Sequence, residues 1–438
     1  MLRLAKINMK ILNSALLDLF LSSTGVCTDT RKIQTGNLFF ALKGPNFNAN
    51  ALAKEALDKG ALAAVIDDSN YATGDKTILV GDGLKALQDL AHDYRNTLNI
   101  PIIGLTGSNG KTTTKELLFS VLSQKYHCYA TAGNLNNHIG VPLSILQIKA
   151  NHEVAVIEMG ANKQGDIKEL VEIAQPTHSL ITNIGKAHLE GFGGEEGVIK
   201  GKGELFDYVA KHGGTVFLPK TKNVVHRMSQ ERGISTCVHA DEAMPTQLIE
   251  AKPTVSFSCA DGSIVQTHLP GIYNFENIQM AIAVGKSFGL SDEACKQGIR
   301  SYQPTNHRSQ FIKIGSNQVL MDAYNANPSS MEAAITHFAE TENNPKIVIL
   351  GDMFELGDLA AQEHAALGRL IAGFQFAKVL LIGTNMQHAL QALPQAYYFP
   401  DKFGLHNWLQ DNPIKESFLL VKGSRGIQLE SVLPFLES

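Results

Sequence analysis

No apolar run in the chain approaches the length of about 20 residues that a bilayer span requires. The stretch from Met9 to Leu21 looks superficially like a secretory leader, but Asn13 and Asp18 interrupt it, and Ser22-Ser23-Thr24 is a poor cleavage site. It reads as an amphipathic helix. The five cysteines (Cys27, Cys128, Cys237, Cys259 and Cys295) are odd in number, far apart and never in a CxxC pair. That usage excludes a disulfide frame and a structural zinc site, and it predicts a reduced, cytoplasmic protein. Charge of one sign is lacking too: Lys+Arg 38 against Asp+Glu 42 gives a net charge of -4. A basic nucleic-acid binder shows the opposite balance, so any phosphate is gripped locally. Internal repeats and low-complexity linkers are missing, and with 44% hydrophobic and 18% charged residues the chain is no disordered polymer.

What is present is 438 residues, enough for two to four domains. Residues 1–98 alternate strands (Asn37–Leu42, Leu62–Ile66) with a helix over Leu84–Leu98. Residues 99–308 begin with a buried strand from Ile100 to Thr106, a Gly-rich turn and a helix over Thr112–Ser123. The strands Val154–Met159 and Ser179–Asn183 then repeat the pattern of an apolar strand ending in polar residues, which is how a parallel sheet with ligands at its C-terminal edge reads. From Thr215 to His268 short strands and few helices predict an antiparallel flank, followed by a helix over Asn274–Gly289. Residues 309–438 hold four strands (Gln318–Asp322, Ile347–Asp352, Val379–Gly383, Phe418–Lys422) separated by helices, a second compact α/β unit. The expected fold is therefore three-domain α/β: a central, mainly parallel sheet whose first strand runs into a Gly-rich turn and a helix, flanked by a small N-terminal α/β domain and a C-terminal α/β one.

The sharpest motif is Gly104-Leu105-Thr106-Gly107-Ser108-Asn109-Gly110-Lys111-Thr112-Thr113. Glycines let successive backbone N–H groups converge on a phosphate, and the helix N-terminus adds about half a positive charge. Lys111 can reach the β- and γ-phosphates and the Thr112 hydroxyl can ligate magnesium. The strict G-x-x-x-x-G-K-[ST] pattern fails because Leu105 stands five before Gly110. Kinase, GTPase and ligase all stay open on this loop alone. Glu158, ending a strand before Gly160, can bring a carboxylate to a hard cation. By itself it is an ordinary surface glutamate, as His188 is an ordinary loop histidine and Lys202, in Lys200-Gly201-Lys202-Gly203-Glu204, an ordinary helix lysine; their order within one α/β domain is what gives them weight.

Taken together, Thr106 to Thr113, the Glu158 strand, Thr182-Asn183-Ile184-Gly185 with Ala187-His188, and Lys202 resemble the ATP-dependent Mur ligases of peptidoglycan synthesis. Gly133-Asn134-Leu135-Asn136-Asn137, Tyr324-Asn325-Ala326-Asn327-Pro328, Leu350-Gly351-Asp352-Met353 with Glu355-Leu356-Gly357, and Lys422-Gly423-Ser424-Arg425-Gly426 look like the members that add D-alanyl-D-alanine. The Asp-Asn-Pro-Arg signature of the members that add a third amino acid has only Asp411-Asn412-Pro413-Ile414 as its counterpart, without the arginine. The resemblance implies an ATP-dependent amide ligase, with UDP-N-acetylmuramoyl-tripeptide and D-alanyl-D-alanine as substrates and an acyl phosphate between them. It implies two magnesium ions, held by Thr112, Glu158, His188 and a carbamylated Lys202, and catalytic roles for Lys111, Glu158, His188, Lys202 and Arg308. ATP contacts carried over are Gly107, Ser108, Asn109, Gly110, Lys111, Thr112, Thr113, Asn274, Asn277, Arg308 and Asp322. Substrate contacts are Thr28, Asp29 and Arg31 at the uridine end, then Asn134, Asn136, Asn137, Tyr324, Asn325, Asn327, Lys422, Ser424 and Arg425. A monomer is expected. Another amide ligase of the same superfamily, either the Mur ligase that adds the third amino acid or a folylpolyglutamate synthase, is the enzymatic alternative, and a catalytically silent nucleotide-binding scaffold is the non-enzymatic one.

Overall fold

The computed structural model describes residues 9–221, 223–242, 244–305, 308–343 and 345–437. Asn306 and His307, which precede Arg308 in the hinge segment, lie outside the described residues. The strands Ile102–Thr106 and Val154–Glu158 are buried along their whole length, as strands covered by helices on both faces must be. They lie at the centre of a six-stranded, all-parallel sheet whose order is Cys237–His239, Thr215–Leu218, His178–Ile181, Ile102–Thr106, Val154–Glu158, Cys128–Ala130. The expected antiparallel flank is narrower than its composition suggested. Thr215–Leu218 and Cys237–His239 continue the parallel sheet around the helix Val224–Glu231, and only Thr246–Glu250, Ser256–Cys259 and Ile264–Gln266 pair antiparallel.

Ahead of this sheet stands a four-stranded parallel one (Gly25–Cys27, Asn37–Phe40, Ala63–Ile66, Thr77–Leu79). Its helix Gly83–Arg95 begins under the Asp82 carboxylate, which accepts from the Lys85 N–H at 2.8 Å. The same helix docks the N-terminal unit on the centre. Tyr94 donates to the Ile148 carbonyl at 2.6 Å, and the buried Arg95 donates to the carbonyls of Ala174 and Gln175 at 2.9 and 3.0 Å. The N-terminal helix Met9–Ser22 lies on it, with the Phe20 and Tyr94 rings edge to face at 4.8 Å.

The C-terminal sheet has the order Gln310–Ile314, Asn317–Asp322, Phe418–Lys422, Lys346–Gly351, Lys378–Ile382, Tyr397–Phe399. It is parallel except for its first pair, a hairpin. Four of its strands are those expected; the edge strands Gln310–Ile314 and Tyr397–Phe399 were not foreseen. The strand ends that carry Thr106, Glu158 and Ile181 in one sheet and Asp322 and Lys422 in the other open toward a common cleft, the usual place for ligands in sheets of this type.

Candidate active site

The cleft is a cavity of about 610 Å³. One wall is the phosphate loop, whose conformation demands its glycines. Gly107 (φ +151°) and Gly110 (φ +78°) lie outside the backbone range comfortable for L side chains; a Cβ on Gly107 would collide with the Thr182 hydroxyl, and one on Gly110 would press on the Asn277 amide. The neighbouring strand end clamps the loop. The N–H groups of Ser108 and Asn109 each donate to Asn183 at 3.0 Å, and the Thr182 hydroxyl and Asn183 amide donate to the Asn109 carbonyl. Lys111 curls back and donates to the carbonyls of Gly107 and Ser108 at 2.7 and 3.3 Å. Loss of water contact pulls its pKa down to about 8, Glu158 opposes the fall, and Arg308 adds to it.

Thr112 donates to both Glu158 oxygens, at 3.0 and 3.2 Å, because the helix Lys111–Leu122 starts beside the strand that Glu158 ends. Asn136 donates to the same carboxylate at 2.7 Å. Lys115, buried one helical turn beyond Lys111, stands 3.9 Å from it; the i, i+4 spacing from Lys111 was the available signal for this residue, which the motif reading passed over. Among the described residues no three His, Cys, Asp or Glu side chains converge as a ready-made metal cage. The hydroxyl and carboxylate of Thr112 and Glu158 are nevertheless hard oxygen donors of the kind magnesium takes from proteins beside phosphate.

His188 lines the cavity from a left-handed backbone (φ +53°), and its Nδ1 meets the Glu355 carboxylate of the C-terminal unit. That hydrogen bond holds the Glu355 carboxyl below its ordinary range. Lys202 is fully buried in the helix Glu195–His212, and its Nζ has no hydrogen-bond partner among the described residues and lies 5.3 Å from the centre of the Phe192 ring. Burial drives its pKa far below that of a free lysine, with Lys111 adding repulsion. An orphaned buried nitrogen fits a carbamate better than it fits a plain lysine.

The opposite wall is cationic. The Arg308 guanidinium stacks 3.6 Å from the Tyr324 ring centre, and Arg425 approaches the same tyrosine. Asp322 accepts from Lys422 at 2.5 Å and from the Ser309 N–H at 3.2 Å, so in this arrangement its carboxylate is engaged by protein. Asn134, Asn136, Thr113, Asn274, Asn277, Tyr324 and Asn325 also line the cavity. Asn274 donates to the Pro270 carbonyl and Asn277 to Asn274, which turns the Asn277 amide under Gly110.

Several expected contacts lie elsewhere. The Ser424 hydroxyl is buried beneath the cleft, accepting from the Phe354 N–H at 3.0 Å. Asn137 caps the helix Gly140–Leu146 through the Gly140 N–H, and Asn327 caps Pro328–Ala339 while donating to Asn109 at 2.7 Å. Thr28, Asp29 and Arg31 sit on the N-terminal unit, away from the cavity wall. There Asp29 caps a short turn and pairs with Arg31 at 2.8 Å. Asparagine and aspartate satisfy nearby backbone groups readily, which is how Asn137, Asn327 and Asp29 are engaged here.

Residues 105–285 match the family model described as the Mur ligase middle domain, and residues 307–425 the one described as Mur ligase, glutamate ligase domain. The UDP-N-acetylmuramoyl-tripeptide–D-alanyl-D-alanine ligase of Bacillus subtilis (strain 168) is 34% identical over 424 residues, which cover 93% of this chain and 92% of that protein. The MurF crystal structure from Acinetobacter baumannii superposes with a TM-score of 0.85 at 29% identity, covering 96% of this chain and 97% of that one. The MurF ligase of Thermotoga maritima, solved in complex with ADP, shares the fold with a TM-score of 0.82 at 24% identity, over 96% of this chain and 98% of that one. Both walls of the cavity fall inside the matched segments, and on a relative this similar over nearly its full length the chain belongs to the Mur ligase family.

Proposed function

We propose that this chain joins D-alanyl-D-alanine to UDP-N-acetylmuramoyl-tripeptide at the expense of ATP, through an acyl phosphate on the tripeptide's terminal carboxylate. The observation that carries the reading is a single cavity with a phosphate loop on one side and Arg308, Lys422 and Arg425 on the other. A carboxylate attacking a triphosphate brings two anions together, so preorganised positive charge is what the step needs. A carboxylate oxygen bonds to the γ-phosphorus as the bond to ADP breaks. The dipeptide amine then bonds to the acyl carbon, loses a proton, and phosphate departs.

Lys111 and the N-terminus of its helix face the phosphoryl group being transferred. Arg308, held flat on Tyr324, presents a forked cation from the hinge. Thr112 and Glu158, together with His188 and a carbamylated Lys202, would hold two magnesium ions, whose contribution when bound is Lewis-acid neutralisation of phosphate charge. Asn134, Asn136, Tyr324, Asn325, Lys422 and Arg425 would meet the peptide and dipeptide, while Thr28, Asp29 and Arg31 would meet the uridine diphosphate. We take residues 1–98, 99–308 and 309–438 as the domains that carry these three tasks, in a cytoplasmic monomer. No helix among the described residues is long and apolar enough to cross a membrane.

The test is phosphate release and product mass with ATP, magnesium, UDP-N-acetylmuramoyl-tripeptide and either D-alanyl-D-alanine or single amino acids. The expected product is the pentapeptide, formed with the dipeptide alone. Turnover only with a single amino acid overturns the assignment.

A further inference from the structure

His188 and Glu355 are 167 positions apart and belong to different sheets' loops, yet they meet inside the cavity. Both have left-handed backbones, at φ +53° and φ +62°. A non-glycine residue holds that conformation only where its surroundings impose it. The surroundings of Glu355 do so from several sides. The Asp352 carboxylate, buried, accepts from the N–H groups of Asn385 and Met386 at 3.1 and 2.9 Å. The Met353 N–H donates to Nε2 of the buried His364 at 3.0 Å, and the Phe354 N–H to the Ser424 hydroxyl at 3.0 Å. Backbone contact continues across the cleft, where the Glu190 N–H donates to the Glu355 carbonyl at 3.3 Å. Three consecutive residues are thus pinned to the C-terminal core, and the fourth extends its side chain to the imidazole.

We infer that Glu355 is a positioning residue for His188: docking of the C-terminal unit delivers a carboxylate that accepts a hydrogen bond from Nδ1–H, which leaves Nε2 as the bare, ligand-facing nitrogen. An imidazole that serves a metal needs one nitrogen unprotonated, and the partner of the other nitrogen decides which. Here that partner comes from a different structural unit, so the ligand is correctly set only when the cleft is assembled. The inference rests on the ligase reading for its purpose, but its geometry can be examined without turnover.

The experiment uses the full chain labelled with 15N-histidine, free of metal and nucleotide, and reads the His188 tautomer by long-range proton–nitrogen correlation, with His188→Asn to identify the signal. The unsubstituted protein and Glu355→Gln, whose amide oxygen still accepts a hydrogen bond, are expected to show the Nδ1–H form. Glu355→Ala is expected to lose it. Manganese binding, followed by electron paramagnetic resonance, is expected to weaken about 10-fold or more in the alanine variant and to be largely kept in the glutamine variant. An Nε2–H or doubly protonated ring in the unsubstituted protein overturns the inference. So does an alanine variant with unchanged tautomer and unchanged manganese affinity. Failure of the ligase reading would appear instead as no amide product from a protein that passes both of these measurements.

Discussion

Lys111 stands under opposing influences: the loop strips water from its ammonium and Arg308 repels it, while Glu158 attracts it. Its pKa in the free protein is therefore about 8. Phosphate favours the ammonium, so ATP binding above that pH must take up a proton. The association constant is expected to be nearly flat below about pH 7 and to fall as pH rises through 8, by at most about tenfold per unit. Calorimetry across that range checks it, and a level profile would contradict it. Replacing Lys111 with alanine should lower phosphate release by about 100-fold or more with the unfolding midpoint kept, the scale expected when one preorganised charge leaves a transition state. Lys202→Ala should lose activity that a short carboxylic acid partly restores, since such an acid can occupy the vacated space with the missing anion; a variant as active as its parent would remove the carbamate. Lys111, Thr112 and Glu158 were legible in the sequence because a phosphate loop is a local device, written in ten consecutive residues and one neighbouring strand end. Glu355 was quoted only as part of a resemblance, because its partner is set by how two sheets face each other and no local pattern encodes that.

At the scale of elements, the parallel strands were legible wherever burial on both faces made them continuously apolar, as in Ile102–Thr106 and Phe418–Lys422. Gln310–Ile314 was not, since only Ile314 of its five residues is buried and it sits at a sheet edge, and Tyr397–Phe399 has only three residues. The Thr215–His268 stretch misled because short strands look alike until their neighbours are known. Gly107→Ala places a methyl group against the Thr182 hydroxyl in a strained backbone, a cost of about 1–3 kcal/mol that the loop can relieve only by moving. ATP affinity should fall accordingly, as equilibrium dialysis would show. Arg95→Ala takes the partner from two carbonyls at the junction of the first two units, so urea unfolding should report a loss of about 2–3 kcal/mol. ATP affinity should be kept, because Arg95 does not line the cavity.

Over the whole molecule, one apolar cluster runs through all three units, and polar contacts add to it between the central and C-terminal units. Lys186 meets Glu363 at 2.8 Å, the Lys186 N–H meets Ser329 at 3.1 Å, Asn327 meets Asn109 at 2.7 Å, and Lys252 meets Glu340 at 2.9 Å. Partly exposed contacts of this kind are worth about 0–1 kcal/mol each, a scale that bound substrates can exceed. A cavity that gathers cations from both units gives anionic ligands a differential affinity for the docked arrangement. In the proposed reaction that arrangement would also shield the acyl phosphate from water. Such an intermediate is the centre of the account, and it leaves an isotopic trace. With 18O placed in the terminal carboxylate of UDP-N-acetylmuramoyl-tripeptide and D-alanyl-D-alanine supplied as acceptor, one labelled oxygen should appear in each phosphate released. Phosphate released without the label, alongside amide product, would contradict it.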